Sequence, residues 1–595
     1  MKPRLSGIRA PASYPLGWCE QARIIAQLAR GAWSWVWHNT RYPSPVPENP
    51  KFMSPHGAVA LIRDGDVVAA SGLGGNQRAS IVYWAIREAF EESGHPAGLT
   101  VMNLGGHGGR GKAPGTLEEL GRPGLCTRLV TSHFETFDAM LDLAAAGHCE
   151  LQCLPLGIMA LLVDALGRGK NSLLTHTGVG TFIDPRVGSG SPVAGSDGEQ
   201  LVSAHGDQLR YRIPRIDVAV FNAPAADRHG NIYVKHGAMI GESAEIARAA
   251  KRNHGRVIAN VGLLVDEGYD RVFLPAEMVD AVVYHPDTEQ TAGVFHREYW
   301  PAITTDSDVS IAEGLARLQF VNWLSGVTAQ RSAADEAVVR LAATTLLANV
   351  HKGAVVEIGV GFPEAVSRAI FVAGRLGDVT FLVESGVLGG LPAPGMYFGA
   401  ALCPEQILSS AQLFKRCYER LDATCLGVLQ ADSQGDVNVS KRGDGPCHYV
   451  GPGGFIDLAA AADTIVFVSA WMTRAQIAVE DGKLRIVKRG TPKFVDRVDE
   501  ITFNGARALA AGKQVFYATH VGLFQLTSRG MELISAMPGV DVRRDILNGP
   551  MKVVVAGSGR IPIVDRSIVT GEGFAPRPAR SRAVLRRRRE RHAVP

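Results

Sequence analysis

The stretch "GAVVEIGVGFPEAVSRAI" (353–370) decides the fold. A β-branched run gives a strand signal, two glycines break it, and a helical period follows from Phe362. The same order occurs in "GDVVAASGLGGNQRASIVYWAI" (65–86). Each copy leads to a second apolar run that ends in glycines, "LTVMNLGGHGG" (99–109) and "VTFLVESGVLGG" (379–390). A third pair, "APAADRHGNIYVK" (223–235) and "LQADSQGDVNVSK" (429–441), shares D-x-x-G-[ND]-x-x-V and ends in lysine. Matched features in one order describe two related halves, at a spacing too long for a solenoid. The first half carries an insertion of about eighty residues, because its features lie farther apart.

Working outward, strand-length runs recur at "AVALI", "DVVAAS", "DVAVFNA", "RVIANVGLLV", "AVVEIGV", "VTFLVE", "TIVFVS", "QVFYATH" and "KVVVAG". Helical patterns separate most of them: "ASIVYWAIREAFEESG", "DEAVVRLAATTLLAN", "FPEAVSRAIFVAGRLG" and "PEQILSSAQLFKRCYERL". Alternation of this kind predicts an α/β fold with mostly parallel, buried strands in two related open domains. The expected divisions are an amino-terminal extension (1–52), a first domain (53–325), a second domain (326–575) and an arginine-rich tail (576–595). In the extension, "RIIAQLARGAWSWVWHN" (23–39) predicts one aromatic-rich helix, stopped by "YPSPVPENP" (42–50). Its aromatic face could meet a partner, a membrane surface or the protein's own body, and Met53 is an alternative start.

The chain has 595 residues, 46% hydrophobic and 20% charged, which is ordinary globular composition. Its net charge is +4, yet the tail holds eight arginines and one glutamate, so the body is mildly acidic. "RRRRERH" (586–592) lacks the interleaved aromatics of a nucleic-acid platform and reads as a solvated, disordered tail. Nucleic-acid partners are therefore not expected. Eight cysteines in so long a chain make no disulfide scaffold. Cys149 and Cys153, beside His148, lack CxxC or HExxH support and read as buried thiols, Cys149 in a helix packed on the core. The first residues lack a signal peptide's apolar core, and no apolar run reaches the ~20 residues of a membrane span. A cytoplasmic setting without membrane attachment is expected.

Glu384 ends the run "VTFLVE", where the chain breaks into glycines. Ligands of open α/β sheets bind at the carboxyl ends of strands, and the residue falls there. Four readings stand: a structural acid paired with arginine, a metal ligand, a general base, or a nucleophile. No second carboxylate or histidine lies nearby in sequence to complete a metal site. A carboxylate nucleophile is already ionised at neutral pH, and needs donors for an oxyanion and exclusion of water. Glycine turns can bring backbone N–H groups close to a reacting atom. There is no GxSxG for a serine hydrolase; "SGLGGNQ" (71–77) and "IGVGFPE" (358–364) follow strands and open helices, yet neither is GxGxxG, and no complete Walker GxxxxGK[ST] is present, so a dinucleotide fold is not well supported. Pro363 at a helix start, after glycines, suits an anion such as phosphate.

Together "VESGVLGGLPAPG" (383–395), "EIGVGFPEAV" (357–366), "ADSQGDVNVSK" (431–441) and "GPGGFIDLAAAADTIVF" (451–467) resemble the second half of family I coenzyme A transferases, of the propionate/acetate type. In the first half, "SGLGGN" (71–76), "LPLGIMALLVDALGRGKNSLLTHTGVGTFIDPR" (154–186) and "DRHGNIYVKHGAMIGE" (227–242) match in order. The likeness covers roughly 53–570 and leaves out the extension and the tail. It implies two CoA-transferase domains with the active site between them. It also implies a ping-pong reaction in which Glu384 forms an acyl anhydride and then a glutamyl-CoA thioester. Carried over, Gly359, Val360 and Gly361 line the CoA site, and Gly451, Gly453 and Gly454 approach the thioester. Asn438 becomes an oxyanion or CoA contact, and Gly72, Gly74 and Gly75 face the carboxylate from the first domain. The partners implied are an acyl-CoA and a carboxylic acid; CoA is a substrate, with no permanently bound cofactor and no metal, in a homo-oligomer. An acyl-CoA hydrolase using the same glutamate, or a non-catalytic CoA-binding protein, are the alternatives. Three departures bear on the acid pocket. Leu156 stands where the family has glutamine, "NQRAS" (76–80) differs from the usual turn, and "FKRCYERLDATCLG" (414–427) replaces a glycine-rich stretch. A larger, branched or oxo acid fits these changes.

Overall fold

The β-branched runs assemble into two sheets, one in each half, in a computed structural model that describes residues 16–109, 113–196, 198–291, 293–327, 331–555 and 561–578. The first sheet contains β1 (Val67–Ala70), β2 (Leu99–Asn103), β3 (Cys126–Thr131), β4 (Glu150–Cys153), β5 (Val218–Asp227), β6 (Arg256–Val265) and β7 (Ala281–Tyr284). Their order is β7-β6-β5-β1-β2-β3-β4, and every neighbouring pair is parallel. The second is centred on β8 (Ala354–Ile358), β9 (Val379–Val383), β10 (Ala423–Gly427), β11 (Thr464–Val468) and β12 (Gln514–Ala518). These run parallel in the order β9-β8-β10-β11-β12, with short antiparallel strands beyond each edge. All ten residues of β5 and all five of β11 are buried, as expected of parallel strands covered on both faces.

The sequence echo is a structural one. β1 pairs with both β2 and β5, and β8 pairs with both β9 and β10. The third matched segment forms a tight antiparallel turn in each half, Ala225–Ala226 against Ile232–Tyr233 and Gln430–Ala431 against Val437–Asn438. One aspartate shapes each turn. Asp227 Oδ1 accepts from the amides of His229 and Asn231, and Asp432 Oδ1 accepts from those of Gln434 and Asp436. Gly230 and Gly435 take the positive φ that each turn requires, +94° and +76°.

The helices used below are α1 (Trp18–Val36), α2 (Pro55–Val59), α3 (Ser80–Ser93), α4 (Leu156–Gly167), α5 (Phe362–Val372), α6 (Ser410–Glu419) and α7 (Phe455–Ala461). Helix α1 begins five residues before the predicted start and ends at Val36; it lies on the first half through Ile24, Leu28 and Gly31. "AVALI" is not a strand: Ser54 caps α2 by accepting from Gly57, Pro55 takes its first turn, and the chain then turns through Leu61. The helix predicted across 404–421 is confined to α6. Ser409 and Gln412 form a capping box, which starts the helix late, and Gln406–Ile407 pairs with Val387–Leu388. Cys149 is buried as expected, but it precedes β4 instead of lying in a helix. The segment "RRRRERH" lies outside the described residues.

The halves interlock through backbone and one carboxylate. The Phe134 amide donates to the Val450 carbonyl (2.8 Å), the Gly453 amide to Ser132 (2.9 Å) and the Leu156 amide to Gly453 (3.0 Å). Asp457 on α7, fully buried, accepts from the amides of Gly157 (2.9 Å) and Ile158 (3.0 Å) at the start of α4. Tyr418 on α6 donates to the same carboxylate at 3.0 Å. Helix α4 has no side-chain cap of its own, so the second half supplies one. Removing that acceptor by Asp457→Ala is expected to cost about 1–3 kcal/mol and to bring forward the urea transition of the purified chain.

Candidate active site

A cavity of about 340 Å³ opens across the carboxyl ends of β8, β9, β10 and β11. Its wall includes Ile358 and Gly359 after β8, Val383 and Glu384 after β9, Leu426–Leu429 around the end of β10, and Val468 at the end of β11. Each parallel strand delivers its last residues to the same end of the sheet, which is why segments distant in sequence converge here. Residues 451–455 form one side, and Phe398, Gly399 and Ala400 another. From the first half comes His133, two residues after β3.

Glu384 faces this cavity. Among the described residues it has no ion-pair partner, so the arginine that a purely structural acid would need is absent. Burial pushes its carboxyl up to about 7, and the Gly454 backbone N–H pulls in the other direction. The loop is at contact distance: a Cβ added to Gly454 would lie 2.4 Å from Glu384 Oε2. A methyl group at Gly454 would therefore displace the carboxylate. Gly453 is tied to the first half through its bonds to Ser132 and Leu156, and Gly451 packs so closely that a Cβ would lie 2.5 Å from the Ser132 carbonyl. A short loop thus joins Glu384 to the first half's strand end.

The other predicted residues divide. Gly359 and Val360 line the cavity, with Val360 55% exposed at its rim. Gly361, at φ +89°, sets the entry to α5 beside it, and its carbonyl accepts from Arg331. The structure does not bring Asn438 to the cavity wall. It is fully buried, its Nδ2 donates to Gln430 and Lys441, and its Oδ1 accepts from the amides of Ser440 and Lys441. With donors and acceptor engaged, Asn438 shapes the 430–441 turn, and its neighbour Val439 lines the cavity instead. Gly72, Gly74 and Gly75 lie one layer away. A Cβ on Gly72 would meet the His107 ring at 2.5 Å, and one on Gly74 the Phe398 ring at 2.1 Å. Gly75 has open space around it. The 72–76 loop therefore presses on the Phe398–Gly399 wall rather than on Glu384 directly.

One residue escaped the sequence reading. Glu357, the penultimate residue of β8, is 1% exposed and lines the same cavity. Burial raises its carboxyl well above the usual range, and the Glu384 charge raises it further; Thr424 Oγ1 donates to its Oε2. Glutamate in a buried parallel strand was itself a signal, because an acid there needs either a partner or a task. Lys493 and Glu364 also reach the wall; burial lowers the Lys493 ammonium to about 8, and the Lys493 side chain donates to the Val428 carbonyl.

Comparison with known proteins matches this arrangement. The chain is 32% identical over 515 residues to the caffeate CoA-transferase of Acetobacterium woodii, covering 84% of this chain and 93% of that protein. It belongs to the CoA-transferase family. The acetate CoA-transferase YdiF of Escherichia coli O157:H7 is 29% identical, over 83% of this chain and 91% of its own. The crystal structure of the YdiF apoenzyme from the same organism superposes with a TM-score of 0.77 at 25% identity, over 90% of this chain and all of the other. Its thioester complex with CoA gives the same TM-score over 89% and 98%. Residues 209–317 also match the family described as malonate decarboxylase, alpha subunit, transporter. The chain is accordingly a CoA-transferase of α/β fold, an enzyme that uses CoA as a substrate.

Two substitutions test the site. Gly454→Ala is expected to lower kcat about 100-fold while leaving the circular dichroism spectrum unchanged, because its methyl group takes the space against Glu384. Glu357→Gln keeps an acceptor for Thr424 and mimics the protonated acid. It is expected to retain kcat/KM at pH 7 within about threefold, measured beside the unsubstituted enzyme.

Proposed function

We propose that Glu384 is the nucleophile of a ping-pong CoA transfer from an acyl-CoA to a carboxylic acid. A Glu384 oxygen attacks the thioester carbonyl, the carbon–sulfur bond breaks, and CoA leaves as thiolate from an acyl-glutamyl anhydride. The thiolate then attacks the glutamyl carbonyl, forming a glutamyl-CoA thioester and releasing the first acid as carboxylate. A second carboxylate repeats these steps in reverse and leaves as its CoA thioester, with Glu384 restored. No proton is gained or lost overall.

The observation that carries this reading is Glu384 itself: a carboxylate on the cavity wall, free of ion pairing among the described residues, with the Gly454 amide against it. That amide is the candidate oxyanion donor, and one such donor is typically worth about 3–4 kcal/mol in the transition state. Gly359 and Val360 are assigned to the CoA arm, Val360 at the rim where a long ligand would pass. The remaining wall is mainly apolar, which suits an acyl group and poorly suits water. Leu156, 2% exposed against Gly453, offers no side-chain donor, so oxyanion stabilisation falls to backbone N–H groups and His133.

Incubation with acyl-CoA is expected to add a CoA-sized mass to the peptide containing Glu384. Glu384→Gln is expected to abolish the adduct and lower kcat about a thousandfold or more. No adduct with any donor would overturn the assignment. Acetate and caffeate, the acids in two relatives' names, form the acceptor panel together with propionate. Thiol release that is unchanged by every acid would instead make the chain a hydrolase.

The pH dependence follows from the raised carboxyl. The reactive form is ionised, so activity is present above the folded-state value and lost as pH falls through about 7. kcat/KM for the donor is expected to fall about tenfold per pH unit on the acid side.

A further inference from the structure

Helix α1 lies on the first half, and a continuous run of contacts leads from it to the cavity wall. Trp35 Nε1 on α1 donates to Glu289 Oε1 at 3.1 Å. Glu289 Oε2 is paired with Arg78, and the two side chains are 5% and 2% exposed. The Arg78 guanidinium also sits 5.2 Å over the Trp35 ring. A buried ion pair holds its geometry only if its remaining donors and acceptors are satisfied and water is kept away. Helix α1 does both. Gly31 allows the helix to lie directly on the pair, since a Cβ there would approach Glu289 Oε1 and Gly293 Cα at 3.3 Å. His38, just beyond α1, stacks on Trp84 of α3 at 4.0 Å and hydrogen-bonds Glu88 at 2.9 Å.

From this pair the path runs toward Glu384. Asn222 Nδ2 donates to the carbonyls of both Arg78 (2.6 Å) and Glu289 (2.9 Å). The Gln77 amide donates to Gln290 at 3.0 Å, and Thr291 Oγ1 donates to Asn76. Asn76 Nδ2 in turn donates across the halves to the Phe398 carbonyl at 2.8 Å. Leu73 packs beneath Gly399, and the Gly399 carbonyl accepts from Ser385, the residue after Glu384. Phe398 and Gly399 are cavity wall.

We propose that Trp35 of the amino-terminal helix is a positioning residue: through the Glu289–Arg78 pair it holds the 72–78 loop, and through that loop the 395–400 wall of the reaction cavity. The helix is then a working part of the site rather than an appendage. The assignment rests on the proposed role of Glu384 only for the purpose of the wall, not for the contacts that reach it.

Amide hydrogen exchange on the full chain tests it without requiring a substrate. Trp35→Phe keeps the ring but loses the donor to Glu289. Exchange in peptides covering 71–78 and 395–400 is expected to quicken about tenfold, while β11 remains protected. Trp33→Phe, on the exposed face of the same helix, is expected to change neither segment. Faster exchange confined to α1 and 289–293 would overturn the proposal, as would equal changes in both variants. With the acceptor that turns over fastest, kcat of Trp35→Phe is expected to fall about tenfold with the donor KM unchanged. Because Glu384→Gln stops turnover without touching this path, failure of the nucleophile assignment and failure of this one give different results.

Discussion

A half-buried carboxylate beside a single backbone N–H organises the rest of this structure. Glu384 gains nothing from an arginine among the described residues; its carboxyl is raised by burial, and the Gly454 amide alone is set against that rise. A carboxylate without a counter-charge is costly to maintain even when half-buried, so the donor beside it must be held in place. The 451–454 loop provides this because it is fixed from both sides. The first half bonds it at Ser132 and Leu156, and Asp457 just beyond it caps α4. The same bonds that join the halves thus place the donor against the carboxylate.

Duplication of one strand–turn–helix–strand unit gave the halves different work. In the second, the two strand ends carry acids, Glu357 and Glu384, both on the cavity wall. In the first, the corresponding ends carry glycines and a buried polar layer. Gly72 packs on His107, and Gly74 on Phe398. One half therefore holds both acids, and the other shapes the wall opposite, mostly through backbone. This division explains why a loop rich in positive φ faces a strand end rich in charge. Bulk in that loop would move Phe398, and with it the room beside Glu384.

Two carboxylates in one cavity also separate in character. Glu357 is buried beside Thr424, which donates to it; burial raises its carboxyl, and the charge on Glu384 raises it further. Disfavouring the ionised form of Glu357 lessens the negative charge beside Glu384. The proposed nucleophile thus shares its cavity with an acid whose ionised form is disfavoured.

The α/β class, the parallel strands and the pairing of the halves were legible in the linear order, because strand and helix periods are local properties of side chains. So was Glu384, since a charged residue ending an apolar run marks a strand terminus. The Asp227 and Asp432 turns were readable for the same reason: an aspartate bonding amides two and four residues ahead needs only its own segment. Glu357 was not recognised, because 27 residues separate it from Glu384 and only sheet pairing of β8 with β9 sets them on one wall. Where the Asn438 side chain goes was not legible for the converse reason: its motif lies near the cavity, but hydrogen bonds within the turn engage the side chain. The extents of α6 and α2 were decided by caps at Ser409 and Ser54, local signals overridden in the reading by apolar runs. What Trp35 touches could be decided only by tertiary structure, since its partner lies 254 residues away. Local chemistry sets which element forms; which side chains share a cavity depends on the packing of the two halves.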